Sequence, residues 1–542
     1  MMKKIGILLL SIISFSECNL VMSMIETKQA EPQIRISPEN KNFLVAQRFN
    51  LNAFYLNSEN EEIDITNKAS WWISDPHLAN LTSTGILHTK NPGSVRISVS
   101  YDGYSRELDY NFITPEQLWL TFYGGSGAVS AKSMICTDDG GYLILGEASS
   151  DVIFKEDRKP KNRYQGACDY FILKIKNNGD YVWHTFFGGN SIDSPSAVIE
   201  SNEGDFLILG SSNSNIKTQG RAYVDGEDML LVKLASDGVL KWFSYFGSQG
   251  DDIGTSLAEL STGEIIIAGT SNFLWDRETY IGNNDIVIAR IDSDGINIKW
   301  NQFFGSPKND KSVKILVGNE DTIYCCSELS GTFEVAKAFF NGQKDYYIRC
   351  MNADGDLRWD SFFGSQVDDI PQDMILTENA LIVVGNSTKS MESSINPYSK
   401  RSKDILAVSL SRDNGEVLWS TFQGGVSDDV AAAVVETPDK GIVIVGSSFV
   451  GFGKPLNPHS GYDNDIFLFK LDPSGALKWH TYYGGKGIEI PMGLAVASNE
   501  GIVVTGTSSA SFGEPKNSFI DGGDNLFAVH FLKNGVCPTI DP

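Results

Sequence analysis

Lys478-Trp-His-Thr-Tyr-Tyr-Gly-Gly485, then Gly493-Leu-Ala-Val-Ala497, then Gly501-Ile-Val-Val-Thr-Gly-Thr-Ser-Ser509 and a loop ending at Asp524 form one phrase that recurs, with drift, from residue 119 onward. The tryptophans that open it are Trp119, Trp183, Trp242, Trp300, Trp359, Trp419 and Trp479, spaced 64, 59, 58, 59, 60 and 60 residues apart. A fixed period of this length is the signature of a repeat architecture. Each tryptophan leads to an aromatic-Gly step such as Phe187-Gly188-Gly189. A first apolar run follows, then a second ending in Gly (Tyr142-Leu-Ile-Leu-Gly146), and after a loop a third opened by Asp (Asp465-Ile-Phe-Leu-Phe-Lys470). Short β-branched and aromatic runs bounded by Gly, Asn, Asp and Ser are strands, and no helical period interrupts them. Four strands in each of seven repeats predict an all-β, seven-bladed β-propeller over 118–542. The Trp119 strand is expected to complete the blade begun near Gly493 and so close the ring without an open edge.

The phrase aromatic-Gly-Gly-x-x-x-Asp, hydrophobic-Gly-x-Thr/Ser-x-Ser, Asp-hydrophobic-Lys, Gly-x-x-x-Trp resembles the bacterial SBBP-type β-propeller repeat over about residues 117–537. It departs from that repeat in lacking Phe-Pro after the Gly-Thr-Ser segment and in its degenerate fourth copy, Ile323-Tyr-Cys-Cys-Ser327. The resemblance implies an extracytoplasmic bacterial propeller and transfers no catalytic residue. The repeat also resembles quinone-cofactor propellers, but those have eight blades and a different phrase, so no cofactor is expected.

Residues 1–23 have the layout of a secretory signal: Lys3-Lys4, an apolar stretch from Ile5 to Ile13 too short to span a bilayer, then small residues. Cleavage after Ser16 fits, and Cys18 is a candidate lipidation site that would anchor a lipoprotein, although Glu17 is a poor residue directly before it. Residues 24–33 read as a polar tether. Over 34–113, alternation in Ile34-Arg-Ile-Ser37 and Val95-Arg-Ile-Ser-Val-Ser-Tyr101 predicts half-buried antiparallel strands of a small β-sandwich. Ile63-Asp-Ile-Thr-Asn-Lys-Ala-Ser-Trp71-Trp-Ile-Ser-Asp75-Pro, Gly85-Ile-Leu87 and Pro92-Gly-Ser-Val-Arg-Ile-Ser-Val99 resemble the bacterial Ig-like group 2 (BIG2) domain, which implies a spacer or adhesion module. Residues 114–117 are the linker.

With 44 Lys and Arg against 68 Asp and Glu, the net charge is −24 over 542 residues. That argues against nucleic acid and anionic lipid, which need positive surface. A monomer is expected, and membrane contact only through Cys18. The cysteines show no metal spacing. Cys325 or Cys326 with Cys350 is a candidate disulfide, and buried free thiols are the equal alternative.

In an up-and-down sheet the aromatic-Gly-Gly loops and the long loops before each Asp-opened strand share one end, where function tends to sit. Three constellations occur there. Asp193, Asp252, Asp310, Asp369, Asp429 and Glu489, with Val129 breaking the set, form a repeat of carboxylates that reads first as local loop hydrogen bonding. Asp169, Asp228, Asp285, Asp345, Asp404 and Asp465 open equivalent strands and read as blade architecture. Two basic loops carry Lys155, Arg158, Lys159, Lys161, Arg163 and Tyr164, and Lys389, Tyr398, Lys400, Arg401 and Lys403. They are candidate contacts to an anionic polymer through Arg forks and aromatic faces. Trp275, Tyr280, Phe449, Phe452, Tyr462 and Phe512 add aromatic surface.

None of the six histidines has zinc-hydrolase spacing, and no Gly-x-Ser-x-Gly elbow sits at a strand–helix junction. No catalytic residue and no metal site is expected. The reading is an exported, non-enzymatic binding protein whose long-loop face contacts a glycan or protein. The alternatives are a glycosidase or lyase using carboxylates on that face, or a structural part of an envelope assembly.

Overall fold

The computed structural model describes residues 32–37, 42–44, 48–58, 61–91, 93–113, 118–152, 158–275, 282–332, 340, 342–391, 394–399 and 402–537. Cys18, the signal, the tether before residue 32, the linker 114–117, Lys155, Tyr280, Lys400 and Arg401 lie outside them. The chain divides into two compact units, Met1–Pro115 and Glu116–Pro542. Among the described residues regular structure is strand, apart from one 3-10 turn at Asn319–Asp321. Among the described residues no helix is long and apolar enough to cross a membrane.

In the smaller unit Gly93–Tyr101 pairs with Tyr104–Ile113 and Ser70–Ile73. Its alternation works as read: Val95, Ile97 and Val99 are buried while Ser94, Arg96 and Ser100 face water. One pairing, Asn42–Leu44 with Asn111 to Ile113, is parallel, where only antiparallel strands were expected.

The larger unit is seven four-stranded antiparallel sheets. Sheet 1 takes Val129–Cys136, Tyr142–Ala148, Asp169–Ile175 and Tyr181–Phe187; sheets 2 to 6 repeat that order over 193–246, 252–304, 311–363, 369–423 and 429–483. Sheet 7 takes Glu489–Val496, Ile502–Ser508 and Asn525–Phe531, and Leu120–Tyr123 from the start of the unit supplies its fourth strand, Phe122 opposite Phe527. The opening strand of each sheet packs against the opening strand of the next, and the seventh against the first. Those strands are therefore innermost and the Trp strands outermost. The second and third strands bury both faces between neighbouring sheets, as where Leu143, Leu145 and Tyr170 meet Ile208, Leu230 and Val232. That is why these strands read as unbroken apolar runs rather than alternating ones.

The Trp-to-Gly spacing has a direct cause. The outer-strand tryptophan of each sheet lies over the hairpin glycine of the next: Trp119 over Gly179, Trp183 over Gly238, Trp242 over Gly295, Trp300 over Gly355, Trp359 over Gly415, Trp419 over Gly475 and Trp479 over Gly535. All seven glycines have positive φ, and a Cβ on Gly238 would stand 2.8 Å from the Trp183 ring. The indole N–H groups of Trp119, Trp300, Trp359 and Trp419 donate to carbonyls of the facing hairpins at 3.0–3.2 Å. Gly204, in the same sheet as Gly238, has φ +78 but open space around it. Gly204→Ala should therefore cost about 1 kcal/mol of backbone strain, and Gly238→Ala about 1–3 kcal/mol more as Trp183 is pushed off its seat. Equal melting temperatures for the two variants would refute the latch.

Each opening strand also carries one β-bulge, whose extra residues are Lys132, Ser196, Thr255, Val313, Gln372, Ala432 and Met492. All seven line an axial cavity of about 480 Å³. The bulge drives a carbonyl toward the facing strand, so Gly146, Gly210, Gly269, Gly385, Gly446 and Gly506 have no room for a side chain. This accounts for the glycine ending the second run.

The candidate disulfide is absent, and the six described cysteines are free thiols. Cys350 stands opposite Tyr324, while Cys326 stands opposite Ile348. Cys326 and Cys350 are thus diagonal neighbours, too far apart for a bridge, and Cys325 faces the other core.

Candidate functional site: a groove at the loop end of sheets 3 to 5

The repeat carboxylates are buried and held by their own loops. Each accepts the N–H of the residue four positions before it: Gly189 to Asp193 (2.7 Å), Ser248 to Asp252 (2.7 Å), Gly425 to Asp429 (2.7 Å) and Gly485 to Glu489 (3.0 Å), with Ser306 to Asp310 and Ser365 to Asp369 alike. The strand-opening Asp set is also buried, and Asp169, Asp228, Asp404 and Asp465 accept N–H groups from their long loops at 2.6–2.7 Å. The two sets meet. Gly188 sits between Asp169 and Asp193, Gly305 between Asp285 and Asp310, and Gly484 between Asp465 and Glu489. Burial pushes Asp169 and Asp310 up to about 6, Asp228 and Asp429 to about 7 and Glu489 to about 8, and raises Asp252, Asp369, Asp404 and Asp465. At the seventh junction both positions are neutral: Asn525 crowds Gly124, and Val129 replaces the second carboxylate. Among the described residues no group of three or more His, Cys, Asp or Glu could hold a metal.

The long loops of sheets 1, 2, 5, 6 and 7 do not crown the loop end as expected. They turn down along the outer strand: Lys161 N–H donates to His184 O, Phe186 N–H to Asn162 O, Tyr245 N–H to Arg221 O, Phe422 N–H to Asn396 O, Tyr482 N–H to Asn457 O and Phe122 N–H to Asn517 O. An exposed outer strand is an invitation to pair with another chain, and these loops cover it. In six of the seven sheets a repeated aromatic pins the loop edge-on to the outer strand, 5.4–5.9 Å between ring centres: Tyr164 on Phe186, Tyr223 on Tyr245, Phe340 on Phe362, Tyr398 on Phe422, His459 on Tyr482 and Phe519 on Phe122. Tyr164 and Tyr398 are therefore pins. Trp275 and Phe512 are buried, Trp275 donating to Asp252 at 2.6 Å.

The two basic loops also part company. Arg158 lies over Tyr181 at 4.7 Å and Lys161 reaches Asp237 at 4.0 Å, leaving Lys159 and Arg163 exposed on the loop that covers the edge of sheet 1. Lys389 and Lys403, on sheet 5, stay at the loop end, where Lys389 donates to Gln366. There they join residues that the sequence reading did not single out. A hollow of about 670 Å³ is lined by Asn283, Asn284, Lys308, Asn309, Lys311, Gln343 and Lys344. It shares Gln343 and Asp368 with a second hollow of about 290 Å³, lined by Gln366, Asn386, Ser387, Thr388 and Lys403. The sharing makes one groove, within the size of small-ligand sites. Lys344 is bound to Glu328, whereas Lys308 and Lys311 make no ion pair among the described residues. Carboxamides offer donors and acceptors to hydroxyls, and lysines offer charge to anions. Four lysines (Lys308, Lys311, Lys344, Lys403) line the groove against Asp310, Glu328 and Asp368, a nearly balanced lining on a chain of net −24. The missed signal lay in the three residues between the second Gly or Ser of the step and the repeat carboxylate. They read Pro307-Lys-Asn309 and Gln366-Val-Asp368 here, and change in every copy while the frame around them holds.

No family model and no curated protein matches this chain. Among solved structures it is similar to a Dyadobacter fermentans DSM 18053 protein of unknown function, at 8% identity and TM-score 0.41, over 76% of this chain and 98% of that one. It is similar to a quinonprotein alcohol dehydrogenase-like protein of Bacteroides thetaiotaomicron VPI-5482 at 11% identity and TM-score 0.36, over 82% and 94%. It is also similar to Trypanosoma rangeli sialidase at 12% identity and TM-score 0.33, over 80% and 57%. At such scores and identities these likenesses decide neither the fold nor the chemistry of this chain.

Proposed function

We propose that this chain is an exported, non-enzymatic binding protein: an Ig-like module followed by a seven-bladed β-propeller that holds an acidic glycan at its loop end. The observation that carries the reading is the carboxamide-lined groove of sheets 3 to 5 with Lys308, Lys311, Lys344 and Lys403 along it. Export rests on the signal-like residues 1–23, and Cys18 is the proposed anchor. The repeat carboxylates that a glycosidase reading would draw on are buried and engaged by their own loops, so binding is the better account of this face.

An array of carboxylated, sulfated and neutral oligosaccharides, probed with the purified chain, tests it. Acidic members should bind, binding should fall with added salt, and no new reducing ends should form. Lys308→Glu with Lys311→Glu should weaken binding roughly 10- to 100-fold, the worth of one to two charge-assisted hydrogen bonds. Equal affinity for neutral and acidic sugars, or turnover of the bound ones, would overturn it.

A further inference from the structure

The loop 449–464 of sheet 6 holds a hollow that the groove does not include. It measures about 530 Å³ and is walled by Phe449, Val450, Pro455, Pro458 and Tyr462, with Gly451, Gly453 and Gly461 among its lining residues. Phe449 is 46% exposed and Tyr462 61%, the most exposed tyrosine in the described chain. Phe452 and His459 line the hollow too, with their rings held by neighbouring packing. Phe452 stacks on His480 at 5.3 Å, and His459 packs edge-on to Tyr482 while its Nε2 meets the Ser448 carbonyl at 3.0 Å. The loop is anchored from both sides, by Leu456 N–H to His480 O, by Asn457 Nδ2 to Tyr482 O at 2.8 Å, and by Ser460 to Asp465. Two exposed rings are thus presented on a braced support. Outside that lining, the Lys486 ammonium lies over the Tyr462 ring, 5.8 Å from its centre.

We infer that this hollow is a second saccharide site, which takes a carboxylated pyranose unit. The parts match that ligand group by group. Aromatic faces take the C–H face of a sugar ring, glycine leaves backbone N–H and C=O groups approachable to hydroxyls, and Lys486 complements a carboxylate. Charge complementarity favours an acidic sugar over a proline-rich peptide, which would use the aromatic and proline walls and draw nothing from the ammonium held over Tyr462. The inference takes only the ligand class from the glycan-binding reading; its residues are separate.

Calorimetric titration of the purified chain with oligogalacturonate, with its methyl ester and with a polyproline peptide tests it. Wild type should bind the acid more tightly than the ester. Phe449→Ala and Tyr462→Ala should each weaken the acid about tenfold, the size of one good ring contact, with unchanged melting temperature because both rings are exposed. Lys486→Gln should remove the preference for acid over ester. Absence of binding, unchanged affinity in the Phe449→Ala and Tyr462→Ala variants, or a preference for polyproline would overturn the inference. Loss only on Lys308→Glu with Lys311→Glu would leave the groove standing and remove this site. Loss only on the aromatic variants would do the reverse.

Discussion

Trp119→Ala should cost about 3–5 kcal/mol of stability, the range for deleting a large buried aromatic, and more than Trp419→Ala in the same frame. Both indoles cover a hairpin glycine of the next sheet, but they differ in what depends on them. Trp119 is buried, donates to Asn177 O at 3.1 Å and lies flat against His530 at 6.0 Å. It heads Leu120–Tyr123, the one strand that ties the start of the larger unit to its end. Sheet 7 without that strand has three members and a bare edge along Asn525–Phe531, which would then be open to pairing with another chain. Trp419 is half-buried and belongs to a sheet whose strands are consecutive in sequence. The expected result in urea denaturation is a lower midpoint for Trp119→Ala than for Trp419→Ala, accompanied by concentration-dependent aggregation. Equal midpoints without aggregation would mean that the terminal strand does not fasten the ring.

The strands were legible because each residue of the phrase has one local duty. Tryptophan covers a hairpin, the hairpin glycine yields to it, and the glycine ending the second run yields to a bulge. Such duties repeat with the sheet, so they show as a period. Loop direction was not legible, because it depends on outer-strand carbonyls that any sequence presents. A trace of it did exist in Asn162-x-Tyr164, Asn396-x-Tyr398, Asn457-x-His459 and Asn517-x-Phe519, where the Asn bonds the edge and the aromatic pins it. Read as surface, Tyr164 and Tyr398 looked like ligand contacts; they are packing. The groove residues escaped for the opposite reason. Lys308, Gln343 and Gln366 belong to no pattern, and a reading built on recurrence passes over positions that differ in every copy. The two broken members, Val129 and Asn525, stood far apart in sequence, and only closure shows them to be one junction.

The paired carboxylates give this fold an unusual dependence on pH, and stability should rise as pH falls from about 8 to about 5. The sign follows from linkage. Asp169, Asp228, Asp310, Asp429 and Glu489 have folded values of about 6 to 8, above their ordinary 3.8 or 4.5. Between those limits the folded chain holds more protons than the unfolded one. The stabilisation is complete below the ordinary values and is lost as pH rises through the folded ones. Two histidines oppose this. Burial lowers His184 to about 4 and lowers His480, so their contribution is present above 6.5 and is lost as pH falls. Asp139 and Asp439, held near 2 by Lys174 and Lys470 among other bonds, are ionised throughout and add no slope in this window. With Asp252, Asp369, Asp404 and Asp465 also raised, nine carboxylates against two lowered imidazoles leave acid as the stabilising direction. Glu489 has the highest folded value of the five, fully buried, facing Asp465 and Asp463 and accepting from Gly485 and Ser508. Glu489→Gln keeps an acceptor oxygen but cannot ionise, so near pH 8 it should be more stable than wild type by on the order of 2–4 kcal/mol, and the advantage should vanish near pH 4.5. Melting temperatures of both proteins across this range decide the matter. A wild-type curve that climbs toward pH 8, or parallel curves for the two proteins, would show that the buried pairs do not share protons as their geometry requires.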